Sequence, residues 1–288
     1  MEQANILSGA TSADIETTVI QPGYMGFLKT MSEVWQYREL FFFLVWRDIS
    51  VRYKQTVLGI SWVVFQPLVA MLIFTLVFNR LASIQSGDIP YPLFVMAGHI
   101  PWIFFASSLN RAGESLVINT KLITKIYFPR IIIPAAAALA ALVDFIIALL
   151  VLAGLMVYFN HTPGIAVLAL PLLTILTFAL AVSFGMLFST ANVRYRDVKY
   201  LLGFVVQMWM FVTPVVYPYT LMVEKYPKLA MAALINPMVG VIEGFRWCLL
   251  GGPFPGTPLA FSGLLTLAML IIAQSYFRRV ERAFADVV

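Results

Sequence analysis

The chain has 288 residues, of which 61% are hydrophobic and 11% charged, with a mean hydropathy of +0.88. A soluble globular domain carries roughly 25% charged residues, and barrel strands alternate over about ten residues, whereas apolar runs here reach about 20; the composition excludes both and predicts an all-α integral membrane protein. The net charge of +5 is spread over short loops instead of forming one patch, which argues against a nucleic-acid partner.

Residues 1–28 contain no Lys or Arg and include Asp14, Glu16, Pro22 and Gly23, so they lack the basic start and apolar core of a secretory signal. They are expected to form a flexible cytoplasmic arm. From 29 to 56, Trp35, Phe41 to Phe43 and Trp46 alternate with Arg38, Arg47, Arg52 and Lys54, and no apolar run is long enough to cross a bilayer. This region predicts one or two amphipathic helices lying in the cytoplasmic interface, with a soluble helix packed on another domain as the alternative.

Residues 57–288 are expected to form one transmembrane domain of six spans. Span one runs from about Leu58 to Phe78 with a kink at Pro67, and span two from about Pro92 to Val117, interrupted near His99 and Pro101. Spans three and four cover about Ile131 to Phe159 and Ile165 to Ala191. Span five covers about Tyr200 to Val216, and span six Leu259 to Phe277.

Residues 229–251 have span length but are broken by Asn236 and Pro237 and carry Glu243 and Arg246. Charge asymmetry decides their placement. With six spans and a cytoplasmic N-terminus, the inner side receives Lys29, Arg38, Arg47, Arg52, Lys54, Lys121, Lys125, Arg130, Arg194, Arg196, Lys199, Arg278, Arg279 and Arg282, and the outer side only Arg80, Lys225, Lys228 and Arg246. A seventh span would move the basic tail outside. The segment is therefore read as an outer re-entrant helical hairpin between spans five and six, with both termini cytoplasmic.

No phosphate-cradling GxxxxGK loop and no His-Glu-x-x-His pattern occurs, and His99 and His161 lie in different segments, so no catalytic group, metal set or cofactor is expected in this chain. Any ATP and Mg would be held by another subunit. Cys248 is alone, which excludes an intrachain disulfide and suits a small packed apolar residue. Asp144, deep in span three, is either functional or a structural hydrogen-bonding group. Arg111 and Glu114, like Glu243 and Arg246, stand three apart on a helix, a spacing that predicts local pairing.

Between spans two and three lies the basic amphipathic stretch NTKLITKIYFPR, in which Leu122, Ile123, Ile126 and Tyr127 recur at helical spacing beside Lys121 and Lys125. Phe128 and Pro129 end the turn. From these residues alone the stretch either grips a partner or rests on lipid headgroups with its lysines at phosphates.

Together with LFFFLVWRDISVRYKQTVLGISWVVFQPL, NTKLITKIYFPRIIIP, ANVRYRDVKY and NPMVGVIEGFRW, the chain resembles the membrane subunit of type-2 ATP-binding cassette exporters, of the kind that export lipid-linked polysaccharide such as O-antigen or teichoic acid. The resemblance is collinear from about Leu28 onward. It implies a bacterial inner-membrane permease, a homodimer engaged by two copies of an ATPase subunit, with membrane lipids around it. It further implies a coupling helix at Asn119, Lys121, Leu122, Lys125, Ile126 and Tyr127 that fits a cleft on the ATPase. Trp62, Phe65, Phe204, Met208, Trp209, Phe211 and Tyr217 become candidates for lining a sugar pathway, since sugar rings stack on aromatic faces. Arg38, Arg47, Arg52 and Lys54 become candidates for the carrier's pyrophosphate, although positive-inside anchoring explains them equally. Asn236, Pro237, Glu243 and Arg246 would form an outer gate.

Other cargoes handled within the family, such as teichoic acid, capsule, small lipids or drugs, form the nearest alternative. An ATPase-independent channel or secondary transporter is the next, and a membrane enzyme is disfavoured because the acids are scattered.

Overall fold

Apolar length and the placement of proline decide where this chain is helical. The computed structural model describes residues 27–54, 59–126 and 128–281, and the expected arm at 1–28 lies almost wholly outside them. Its helices are α1 (Phe27–Gln36), α2 (Arg38–Lys54), α3 (Gly59–Phe74), α4 (Tyr91–Ile118), α5 (Thr120–Ile123), α6 (Ile132–Leu139) and α7 (Leu142–Tyr158), followed by α8 (Leu170–Arg194), α9 (Val198–Val212), α10 (Tyr219–Lys225), α11 (Pro227–Ala233), α12 (Pro237–Leu250) and α13 (Gly256–Glu281).

Among the described residues five stretches are long and apolar enough to span: Ser61–Leu81, Tyr91–Ile118, Ile132–Tyr158, Ile165–Arg194 and Gly256–Glu281. The first reaches past the expected Phe78 because α3 continues into a π-helical turn, Thr75–Leu81. Helix α9, the expected span five, has 15 residues and stops earlier than its apolar run suggests. Thr213 precedes Pro214, whose ring pushes it to φ −92°, ψ 139°, so the helix unwinds there.

Helices α11 and α12 reach span length only together and meet at 97°, the bend that Asn236-Pro237 predicts. Asn236 caps α12 by accepting from the Met238 amide at 3.0 Å, Pro237 fills the first turn, and Gly251 ends it at φ 82°.

Helix α4 forms the axis of the bundle. Within its apolar window 78% of residues are buried, against 17% in the first and last spans, and it packs on α3, α6, α7, α8, α9 and α12. Phe104, Phe105 and Leu109 fill the centre, with the Phe104 ring 4.6 Å from Phe145. Span three is interrupted at Ala140 and Ala141, and the Ser108 hydroxyl of α4 donates to the Ala138 carbonyl at 3.0 Å, meeting part of the polar cost of that break in apolar surroundings.

Close approach between helices depends on small residues. A Cβ at Gly185 would stand 2.3 Å from that of Ala112, and one at Gly240 only 2.0 Å from the Pro258 carbonyl oxygen and 2.3 Å from Ser262 Oγ. Gly240→Ala is expected to destabilise the fold by about 3 kcal/mol, because the obstructing carbonyl belongs to the backbone. Gly263→Ala, which meets nothing within 4 Å, is expected to be neutral or slightly stabilising in the same thermal melt.

The interfacial pair lies across the end of the bundle that carries residues 119–130, called the basal end below. Leu44 and Val45 of α2 are buried in a cluster with Ile132, Ile133 and Phe277, while Phe42, Phe43 and Trp46 on the other side stay 62–68% exposed. One face of α2 thus grips protein and the other leaves its aromatic side chains exposed, the division expected of a helix lying in a membrane interface.

Candidate functional site

The basal end begins where α4 stops. The Asn119 side chain donates to the Ser115 carbonyl at 2.8 Å, and the Thr120 and Thr124 hydroxyls donate to carbonyls one turn back. These side-chain bonds hold the reversal of direction that follows. Regular α-helix covers only Thr120–Ile123, shorter than the expected Asn119 to Tyr127, but the Lys125 and Ile126 amides still bond back to Leu122, so the coil persists to 126. Tyr127 lies outside the described residues.

The knob formed in this way has two sides. Leu122 and Ile123 are half-buried against Leu116, Phe128 and Ile132, while Lys121, Thr124, Lys125 and Ile126 project outward, Ile126 being 54% exposed. Beside it lies a surface hollow of about 230 Å³ lined by Ile123, Thr124, Lys125, Ile126, Phe128 and Arg130. An exposed isoleucine flanked by two lysines next to a hollow suits a protein partner with an apolar notch and an acidic rim.

Polar contacts tie this knob to the rest of the basal end. The Arg130 amide donates to Glu281 Oε1 at 3.1 Å and its guanidinium to the Glu281 carbonyl at 2.8 Å, joining the knob's exit to the end of α13. Arg278 of α13 approaches Glu33 of α1 at 3.8 Å. The two bonds from Arg130 are partly buried, which gives them more weight than an exposed pair. Sequence spacing could not show these contacts, since the partners lie far apart along the chain.

A charge cluster is centred on Asp144, in the first turn of α7. Its carboxylate receives the Tyr53 hydroxyl and the Arg52 guanidinium, both from the end of α2, and Arg111 of α4 stands 3.8 Å away. Burial, then the hydrogen bond to Asp144 and its charge, raise the Tyr53 phenol above its usual 10.0, so it stays a proton donor. The expected Arg111–Glu114 pair does not form, because Arg111 turns toward the buried Asp144 and Glu114 is exposed.

Of the four arginines and lysines considered for a pyrophosphate, Arg52 is thus engaged with Asp144. Arg47 is bound to its neighbour Asp48 at 2.7 Å. Arg38 is exposed and stacks 5.8 Å from the Trp35 ring, and Lys54 is exposed at the end of α2.

The aromatic candidates separate into two groups. Trp62 and Phe65 on α3, and Phe204, Met208 and Phe211 on α9, are 42–61% exposed. Helix α3 packs on α4 and α7, and α9 on α4 and α8, so both exposed rows belong to helices that lean on α4. Trp209 is half-buried, its ring edge-on to Phe105 at 5.2 Å and to Phe184 at 5.1 Å, because α9 turns that side toward α4 and α8. Tyr217 is half-buried and donates weakly, at 3.4 Å, to the last carbonyls of α9.

At the far end Glu243 and Arg246 do pair, at 2.8 Å, and Arg246 does more than that. It is 5% exposed, donates to the Val215 carbonyl at 2.6 Å and to that of Tyr217 at 3.4 Å, and lies 3.7 Å from the centre of the Phe94 ring. The Asn236 amide reaches Thr213 Oγ1 at 2.8 Å. The bent pair α11–α12 is therefore fastened to the unwound stretch 213–217 that ends α9, through carbonyls that lost their helical partners there.

Among the described residues no three His, Cys, Asp or Glu side chains gather where an ion could be held.

Known proteins resemble this chain along most of its length. It is 28% identical over 263 residues to the O-antigen export system permease protein RfbA of Myxococcus xanthus, covering 90% of this chain and 99% of that one. An O-antigen export system permease protein RfbA of Klebsiella pneumoniae is 25% identical, with 84% and 92% covered. The polysialic acid transport protein KpsM of Escherichia coli is 27% identical, with 82% and 92% covered. The family model described as ABC-2 type transporter matches residues 39–250, which take in α2, the knob, the Asp144 cluster and the bent pair, and the chain belongs to that family of membrane transport proteins.

Proposed function

We propose that this chain is the permease subunit of an ATP-driven exporter that moves a lipid-linked polysaccharide, such as O-antigen on a polyprenyl pyrophosphate, from the cytoplasmic to the outer side of a bacterial inner membrane. Two copies would pair, and two copies of a separate ATPase subunit, holding ATP and Mg, would grip the basal ends. Both termini and the 119–130 knob are cytoplasmic in this reading, which agrees with the positive-inside rule.

The observation that carries it is the knob. It presents Lys121, Lys125 and Ile126 outward, is packed through Leu122 and Ile123 onto the bundle, and is tied by Arg130 to α13, so a push on it is passed to several helices at once. Pairing two copies can bring the exposed rows of α3 and α9 to face each other across a shared path. Aromatic walls that hold sugar rings weakly let a long polymer slide.

The relative named for polysialic acid transport makes another polysaccharide the second reading. Replacing Lys121 to Ile126 by a Gly/Ser linker tests coupling. Export and cargo-stimulated ATP turnover by the co-purified complex are expected to fall at least roughly tenfold, and survival of both would remove the coupling role.

A further inference from the structure

Arg111 sits about two turns inside the end of α4, ~10 Å along its axis. It donates no hydrogen bond to any described residue and keeps 28% of its side chain exposed, while the only carboxylate paired with it, Asp144 at 3.8 Å, is already bonded by Arg52 and Tyr53. Two guanidiniums therefore share one carboxylate, which leaves one positive charge uncompensated in partly buried surroundings. Such a charge calls for an anion.

We infer that Arg52, Arg111 and Tyr53 form a receptor for the phosphate of a lipid headgroup, and that Asp144 is a built-in anion occupying it at rest. The donor set fits. Two planar guanidiniums can each take phosphate oxygens in pairs, and a phenol held protonated supplies a third donor. Access fits as well, because the side chain of Arg52 is 34% exposed and that of Asp144 only 11%, so the donors face outward and the carboxylate lies behind them. A headgroup phosphate, which offers several oxygens to both guanidiniums at once, displaces the single carboxylate between them. On its arrival Arg52 and Tyr53 leave Asp144, and α2 is released from α7, its polar hold on span three.

Only the identity of the lipid rests on the exporter reading; the receptor itself does not. The test uses the full chain in nanodiscs of zwitterionic lipid, titrated with farnesyl pyrophosphate and, separately, with dihexanoyl phosphatidylglycerol. Asp144→Asn is expected to tighten binding about tenfold, and Arg111→Gln to weaken it about tenfold, with Arg111→Lys in between. A carboxylate with a purely structural role gives no tightening when neutralised. Preference for the pyrophosphate points to the isoprenoid carrier, and equal response to both points to bilayer phospholipid; either upholds the receptor. Affinities within twofold of the parent for both Asp144→Asn and Arg111→Gln overturn it. Loss of the exporter reading shows differently, as these binding shifts persisting in a protein that exports no polymer.

Discussion

Replacing Arg246 by alanine is expected to destabilise the protein by about 3–5 kcal/mol, the cost of breaking a buried ion pair and leaving its partner charged. Glu243 would lose its counter-charge, and the Val215 and Tyr217 carbonyls would lose a donor in a place where water does not replace it. Lysine should not rescue the loss. One ammonium cannot serve Glu243 and both carbonyls and also lie flat against Phe94, 3.7 Å from the ring centre, as the guanidinium does. Thermal unfolding in detergent reads the effect, and Arg246→Lys melting with the parent protein would show that the fork geometry is not needed. Gly98 supports the same geometry, since a Cβ there would stand 2.9 Å from both Arg246 Nη2 and the Val215 oxygen.

Reversing the charge at Asp144 is the second large effect. Asp144→Lys sets a third cation beside Arg52 and Arg111, and a loss of about 3 kcal/mol is expected, at the lower end for a broken buried pair because the Arg52 side chain is 34% exposed. Exchanging the charges, Arg52→Asp with Asp144→Arg, should recover much of the stability, since the pair is then rebuilt in reverse across α2 and α7. Melting temperature and yield measure both variants. A double variant no more stable than Asp144→Lys alone would contradict the contact between the interfacial helix and span three.

The spans were legible because an apolar run long enough to cross lipid leaves few alternatives, and the bent pair because Asn236-Pro237 both breaks and caps. Their limits were less so. Span one ran on through a π turn, and α9 stopped short where Thr213 met Pro214, a local conflict that an apolar average does not register. The two acid and arginine pairs at i and i+3 show how far spacing carries. Glu243 and Arg246 find each other, whereas Arg111 has a better partner on another helix.

Partners separated by many residues were the part hidden from sequence. Asp144 attracted notice as a charge inside a span, but nothing in its neighbourhood named Arg52 and Tyr53, which come from a helix 91 residues away along the chain. Arg130 and Glu281 are 151 residues apart. The same limit applies to Trp209, one of several aromatics on an apolar helix, whose inward direction was set by Phe105 and Phe184 on neighbouring helices. Helical periodicity tells that a helix has faces and leaves open which neighbour each one meets.

The most direct test of the central claim places a photo-crosslinking amino acid at Lys125, exposed on the knob, in the chain co-expressed with the ATPase proposed to drive it. Illumination is predicted to join the permease to the ATPase, and the same probe at Val223, exposed at the far end, to give no such adduct. An ATPase adduct from Val223, or only lipid adducts from Lys125, would contradict the claim that a motor subunit drives this permease through residues 119–130.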